Sequence, residues 1–364
     1  MATQNRGNAA RVYIGTYTWN KSEGIYVYQL DGSSGTLTYE SKQTGLENPT
    51  FLAIEPRRRY LYAVSEIHEC DGQLGGVVSA FGIDPATGEL NFLNWQPSGG
   101  AEPCHLSVDA TGKYMLVANY TGGSVAVFPI RENGELGEIC DLVHHAGSSV
   151  NEERQTSPHP HSVMIDPTNR YVFVPDLGID KVMIYRFDLD NGKLIPNTQA
   201  SVEVQAGAGP RHFDFHPSLQ YAYLINELDS TLTAFAYEES NGSLDEIQSI
   251  STLPGDFEGV SHCADVHVHP SGKFVYGSNR GHDSIAMFRI AEGSGLLTYL
   301  GCEPTQGKTP RNFALDSAGN YLYAANHDSD NIVTFQIDEE TGRLIPAGKI
   351  ADAPTASCLK IVPA

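Results

Sequence analysis

Four side chains in this sequence have the chemistry of a site that grips an anion and moves a proton: His161, Arg211, Glu227 and Arg280. The guanidinium forks of Arg211 and Arg280 match a carboxylate or a phosphate. His161, and His212 beside Arg211, titrate near neutrality and can give or take a proton. Glu227 falls in the same repeat unit as Arg211 and either pairs with it as a plain rim salt bridge or takes part in the chemistry. The formal net charge is −21, so arginines gathered in one place need a local reason. The same acidity argues against a nucleic-acid partner, which needs clustered Lys and Arg.

Other chemistries fit less well. His159-Pro-His161, His267-Val-His269 and His144-His145 raise the question of a metal. A zinc-type site needs three or four converging ligands, and these spacings belong to no strong signature. His269 occupies a turn slot at the far end of its strand and cannot chelate with His267 at one mouth. No metal is expected. Cys104 and His105 are neighbours on a strand and point to opposite faces, so Cys104 reads as packing rather than as a nucleophile. There is no G-x-S-x-G elbow and no nucleotide-binding glycine motif, and no cofactor is expected.

These residues recur at fixed places in a repeat. Pro210-Arg-His-Phe-Asp-Phe-His-Pro217, Tyr221–Asn226, Ser230–Phe235 and Asn241–Leu244 succeed one another as Pro310–Ser317, Tyr321–Asn326, Asn331–Phe335 and Thr341–Leu344 do. Equivalent openings stand at Pro49, Pro103, Pro160, Pro210, Cys263 and Pro310, spaced 47 to 57 residues apart. Four short alternating strands per unit at that period predict an all-β, seven-bladed β-propeller with four antiparallel strands per blade. The chain starts in mid-unit, at Val12–Thr16, and the missing first strand is at the other end, Pro354–Ile361. The last blade is therefore expected to be stitched from both ends of a single domain spanning 1–364, with 1–10 as a flexible tail.

In a propeller the first strand of each blade lines the channel, and its start shares a mouth with the end of the second strand. Ionisable residues crowd the slots at that mouth in the middle blades, while the slots around the seam are bland, which points to a ligand site there. Candidate substrate-binding residues are His105, Asn119, His159, Asp176, His212, Asp265, Asn279, Arg311, Asn326 and His327. Asn119, Asn226, Asn279 and Asn326 repeat in four blades, which also suits a turn hydrogen bond to backbone. Tyr17, Trp19 and Tyr120 are available as walls.

Met1–Arg11 has no apolar core of a signal peptide, and no apolar run approaches the length of a membrane span. The six cysteines form no C-x-x-C pair and read as free thiols. The expectation is a cytoplasmic protein without a membrane partner.

Ser157-Pro-His-Pro-His161, Pro175-Asp-Leu-Gly178, Gly209-Pro-Arg-His212, Asn226-Glu-Leu-Asp229, Ser278-Asn-Arg-Gly281 and Pro310-Arg-Asn312 together resemble the propeller lactonase family. That family includes the propeller-type bacterial 6-phosphogluconolactonases and the fungal carboxy-cis,cis-muconate cyclases. The resemblance runs from about Arg11 to Val362. It implies an enzyme of carbohydrate metabolism that needs no cofactor, acts on a small anionic lactone, and uses His161, Arg211, Glu227 and Arg280. The reaction that fits is hydrolysis of a sugar-acid lactone, with 6-phosphogluconolactone, of the pentose phosphate pathway, as the family default. His161 or Glu227 would activate water, Arg211 would stabilise the oxyanion, and Arg280 would hold the phosphate or carboxylate. A lactone-forming cycloisomerase would use the same groups. A non-catalytic binding platform would instead show apolar hot spots on an exposed face.

Overall fold

The computed structural model describes residues 9–70 and 72–363. Seven four-stranded antiparallel sheets make up the ring, six of them running in chain order from an inner to an outer strand and the seventh taking its inner strand from the other end of the chain. The inner strands Leu52–Ile54, Pro103–Val108, Met164–Ile165, Pro210–Phe215, His262–Val268, Pro310–Leu315 and Ala356–Pro363 define blades I to VII. Second strands such as Tyr221–Asn226 and Tyr321–Asn326 are buried at five of six positions, because a blade's middle is covered on both faces by its neighbours. Outer strands such as Thr36–Thr44 are mostly exposed and correspondingly polar.

Blade VII joins the two ends of the described chain. Ala9–Thr16 pairs antiparallel with Ala356–Pro363, from Ala10 opposite Pro363 to Thr16 opposite Ala356. The expected ten-residue tail is too long by two, since Ala9 and Ala10 already pair with Asp31 and Leu30. Residues 1–8 of that expectation lie outside the described residues. In blades I and III the regular inner strand starts later than the opening proline. Pro160 keeps only an isolated bridge to Asp176.

A repeated tyrosine ties several blades to the next. Tyr62, Tyr223 and Tyr276 donate to the backbone oxygens of Gly134, Gly295 and Gly342, at 3.0 Å each. Each acceptor is a turn glycine of the following blade with positive φ, as at Gly342 (φ 73°), where an added Cβ would stand 2.3 Å from Phe274. Tyr276→Phe is expected to cost about 1 kcal/mol by stranding the Gly342 carbonyl in the core. A urea midpoint equal to wild type would refute that role.

The inner strands are not straight ladders. Pairing skips one residue at Cys104, at Arg211 and at Arg311, as it shifts between Pro103 and His105, Pro210 and His212, and Pro310 and Asn312. Such a bulge re-aims the side chain it carries. It sends Cys104, Arg211 and Arg311 toward one mouth, while the next residue turns into the channel below.

Candidate active site

Glu227 is the centre of an arginine cluster. Its Oε2 accepts from Arg211 Nε at 2.9 Å and lies 2.8 Å from Arg280 Nη2; its Oε1 accepts from Arg154 Nη2 at 2.7 Å. Backbone holds it in place: Glu227 N donates to Gly209 O at 2.7 Å. Gly209 itself needs φ 68°, and a Cβ there would meet Leu228 Cγ at 2.6 Å. Burial opposes a charge on Glu227, but Arg280 and Arg211 outweigh it and hold the carboxyl well below 4.5. It is a fixed anion and a weak base.

His161 Nε2 stands 4.0 Å from Glu227 Oε2, and its Nδ1 is 3.8 Å from Cys104 Sγ. Burial, reinforced by Arg211, pushes the imidazole well below 6.5, so it is neutral at physiological pH with a lone pair to offer. The Cys104 thiol is pushed upward by burial, which keeps it protonated and unreactive.

A cavity of about 260 Å³ opens above this floor, lined by Glu66, Glu102, Cys104, Tyr120, Arg154, His161, Glu227, His262, Arg280 and Arg311. On one wall Arg311 Nη2 donates to Tyr17 Oη (2.7 Å), which donates to Glu66 Oε1 (2.7 Å); Trp19 stacks on Tyr17 at 4.2 Å. On another wall Tyr120 stacks on His159 at 4.5 Å and accepts from Arg154 Nη2 at 3.2 Å.

Arg211 does not line this cavity. It is buried behind Glu227, with Nη1 on the backbone oxygen of Ala264, and burial with the nearby Arg280 brings its pKa down to about 10. The cavity that would hold a lactone is lined instead by the guanidiniums of Arg154, Arg280 and Arg311, so the oxyanion role expected of Arg211 finds no contact surface here.

Most of the other expected binding residues are elsewhere. His105, His212 and Asp265 form a buried layer across the channel below the cavity. Asp265 takes His212 Nδ1 (2.7 Å), His267 Nε2 (3.1 Å) and Asn312 Nδ2, so one carboxylate joins three blades. Burial, then Arg211, lowers His212 to about 4. Asn119, Asn279 and Asn326 donate to the backbone oxygens of Ser98, Thr252 and Thr305 at 3.0–3.1 Å, the backbone role their repetition suggested, whereas Asn226 donates to the hydroxyls of Thr231 and Thr233 instead. Asp176 is consumed by His145 (2.6 Å) and by the backbone nitrogens of His159 and Gly178. His159 backs Tyr120, and His327 meets Tyr17 edge-on at 5.3 Å. Of that set, Arg311 alone lines the cavity.

Arg154, Glu66 and Glu102 were not singled out as site residues from the sequence. Glu66 stands in the slot beyond strand two, beside Glu227 in the alignment of repeats, and that slot was the available signal. Arg154 lies in the irregular connection 145–159, where no repeat position exists to compare.

A larger cavity, about 490 Å³, opens at the other mouth, with His267, Lys360, Leu315 and Leu359 in its lining. The buried cluster of opposite charges belongs to the smaller one, and such convergence outweighs volume in locating chemistry. No group of three or more potential metal ligands occurs among the described residues, and no helix among them is long and apolar enough to cross a membrane.

The sequence model of the family described as lactonase, 7-bladed beta-propeller, matches residues 11–361. A Bacillus subtilis protein named 6-phosphogluconolactonase is 41% identical over 304 residues, 84% of each chain. One of the same name from Formosa agariphila is 37% identical over 309 residues, 84% of this chain and 86% of that one. The periplasmic gluconolactonase of Pseudomonas aeruginosa superposes with a TM-score of 0.91 at 32% identity, covering 97% of this chain and 99% of that one.

Proposed function

The chain belongs to the seven-bladed β-propeller lactonase family, and from that premise we propose that it hydrolyses a sugar-acid lactone, 6-phosphogluconolactone to 6-phosphogluconate, at the mouth built around Glu227. The observation that carries this reading is a neutral His161 standing 4.0 Å from a carboxylate that three arginines share, at the floor of an open cavity.

His161 Nε2 takes a proton from water as its oxygen attacks the lactone carbonyl. Arg280, whose side chain lines the cavity, faces the oxyanion of the tetrahedral intermediate. The intermediate collapses by breaking the bond to the ring oxygen, which receives the proton from the imidazolium. Glu227 stabilises that transient cation and orients the ring. Arg211 holds Glu227 from behind. The six cysteines are all free, which supports a reducing cytoplasm as the place of action.

The direct test is hydrolysis of freshly generated 6-phosphogluconolactone and gluconolactone in chelator, with the spontaneous rate subtracted. A clear acceleration by the wild-type protein is expected. Acceleration of neither lactone would overturn the proposal.

The pH dependence follows from His161. A base must be neutral to act, and this one is held well below 6.5. kcat/KM is therefore expected to stay level as pH falls from 8 through about 6, where an ordinary histidine would already be losing its lone pair. An acid limb centred at about 6.5 or higher would exclude His161 as the base.

A further inference from the structure

Relatives of this chain include proteins named for the phosphorylated lactone and one named for the unphosphorylated gluconolactone. Something at the mouth must decide whether a phosphate is gripped, and the charges there are unevenly spread. Arg154, Arg211 and Arg280 share the carboxylate of Glu227, so three guanidiniums meet one directly paired carboxylate on that side. Arg311 on the opposite wall faces Glu66 at 3.9 Å and is neutralised by it. A dianion entering the mouth is drawn to the first side and repelled by Glu66 on the second.

Within that side the three arginines are not equally free. Arg211 is sealed beneath the cavity. Arg280 spends Nη2 on Glu227 and on the backbone oxygen of Cys263, both at 2.8 Å, and stands at the reacting end. Arg154 uses Nη2 for Glu227 and Tyr120; its side chain is 37% exposed, and no other side-chain hydrogen bond engages it among the described residues. A phosphate is heavily hydrated and is better held at the rim, where it keeps part of its water, than on the dry floor.

The segment that carries Arg154 is built to present it. Asn151 Oδ1 accepts from the backbone nitrogen of Arg154 at 3.0 Å, and Asn151 N donates to Gln155 Oε1 at 3.1 Å. Gln155 Nε2 in turn donates to Asp180 Oδ1 at 2.7 Å. The same Asp180 carboxylate accepts from the backbone of Gly207 and Gly209, the turn that leads into Arg211. One buried aspartate therefore fixes the rim arginine relative to the floor.

We infer that Arg154 is the residue that selects for an anionic substituent remote from the reacting carbonyl, gripping the phosphate of a phosphorylated sugar lactone through its free guanidinium edge. This rests on the lactonase reading and moves the phosphate from Arg280, where the sequence suggested it, to the rim.

The experiment compares kcat/KM for 6-phosphogluconolactone and gluconolactone in wild type, Arg154→Ala and Arg154→Lys, with binding of 6-phosphogluconate and gluconate measured by calorimetry on the same proteins. The preference of the wild type for the phosphorylated lactone is expected to fall by about tenfold to a hundredfold in Arg154→Ala, through KM, with partial recovery in Arg154→Lys. The calorimetric preference for the phosphorylated acid is expected to fall with it. A preference unchanged within about twofold would overturn the inference. So would an equal fall in kcat for both lactones, which would make Arg154 only a positioning residue for Glu227. Were the wild type to accelerate neither lactone, the lactonase reading would fall; the calorimetric ratio would still decide whether Arg154 grips the phosphate.

Discussion

His161→Ala is expected to lower kcat for lactone hydrolysis by about 10²- to 10⁴-fold, the usual worth of a positioned general base. Oxyanion stabilisation by Arg280 does not depend on the imidazole and accounts for the activity that remains. The fold is expected to tolerate the change, because the backbone of His161 keeps its bond to Pro175 O at 2.9 Å. The vacated space borders the open cavity, so added imidazole is expected to restore part of the rate. The check is a stopped assay with background subtraction, paired with a thermal melt. A loss of less than about tenfold in a folded variant would move the role of base to Glu227.

Glu227→Gln carries the largest expected effect on stability, about 3–5 kcal/mol. The amide is nearly isosteric, so packing is not the cause. The substitution removes the only carboxylate that Arg154, Arg211 and Arg280 share among the described residues, and Arg211 is just 2% exposed. Burying a guanidinium without its counter-ion is what costs. The folded carboxyl titrates below its ordinary 4.5, so its contribution is complete above about that pH and is lost as pH falls through the lower folded value. Denaturation midpoints of wild type and variant are therefore expected to differ fully at pH 7 and to converge in strong acid. A gap that is absent at pH 7 would mean the cluster is screened by water and is no keystone.

The ring was readable from the sequence because each blade repeats the same solution to the same burial problem, so Tyr221–Asn226 and Tyr321–Asn326 can be laid side by side. The mouth was readable for the opposite reason: ionisable residues break the repeat in slots that the fold forces to one end, and among them the resemblance to the propeller lactonases singled out His161, Arg211, Glu227 and Arg280. Depth was not readable. A slot gives a residue's blade and end, but the bulges at Cys104, Arg211 and Arg311 decide which of two neighbours rises to the cavity and which sinks into the channel. His105 and His212 therefore looked like ligand-facing residues and are floor struts. Arg154 was hidden because the segment between two blades has no counterpart elsewhere in the chain.

The pairing of Ala10 with Pro363 in one sheet has a further consequence. On a ribosome the strand Ala9–Thr16 is made more than three hundred residues before Ala356–Pro363 and must wait with a bare edge until that partner emerges. The groups around Glu227 come from blades III to V and can pack early, yet the circle that sets their spacing is not complete until Ala356–Pro363 has been made. A ring fastened in this way has no privileged starting blade. The same sequence, joined at its ends and reopened between two other blades, is expected to close with its cavity intact, and the choice of opening would then set how long an unpaired edge stays exposed during synthesis.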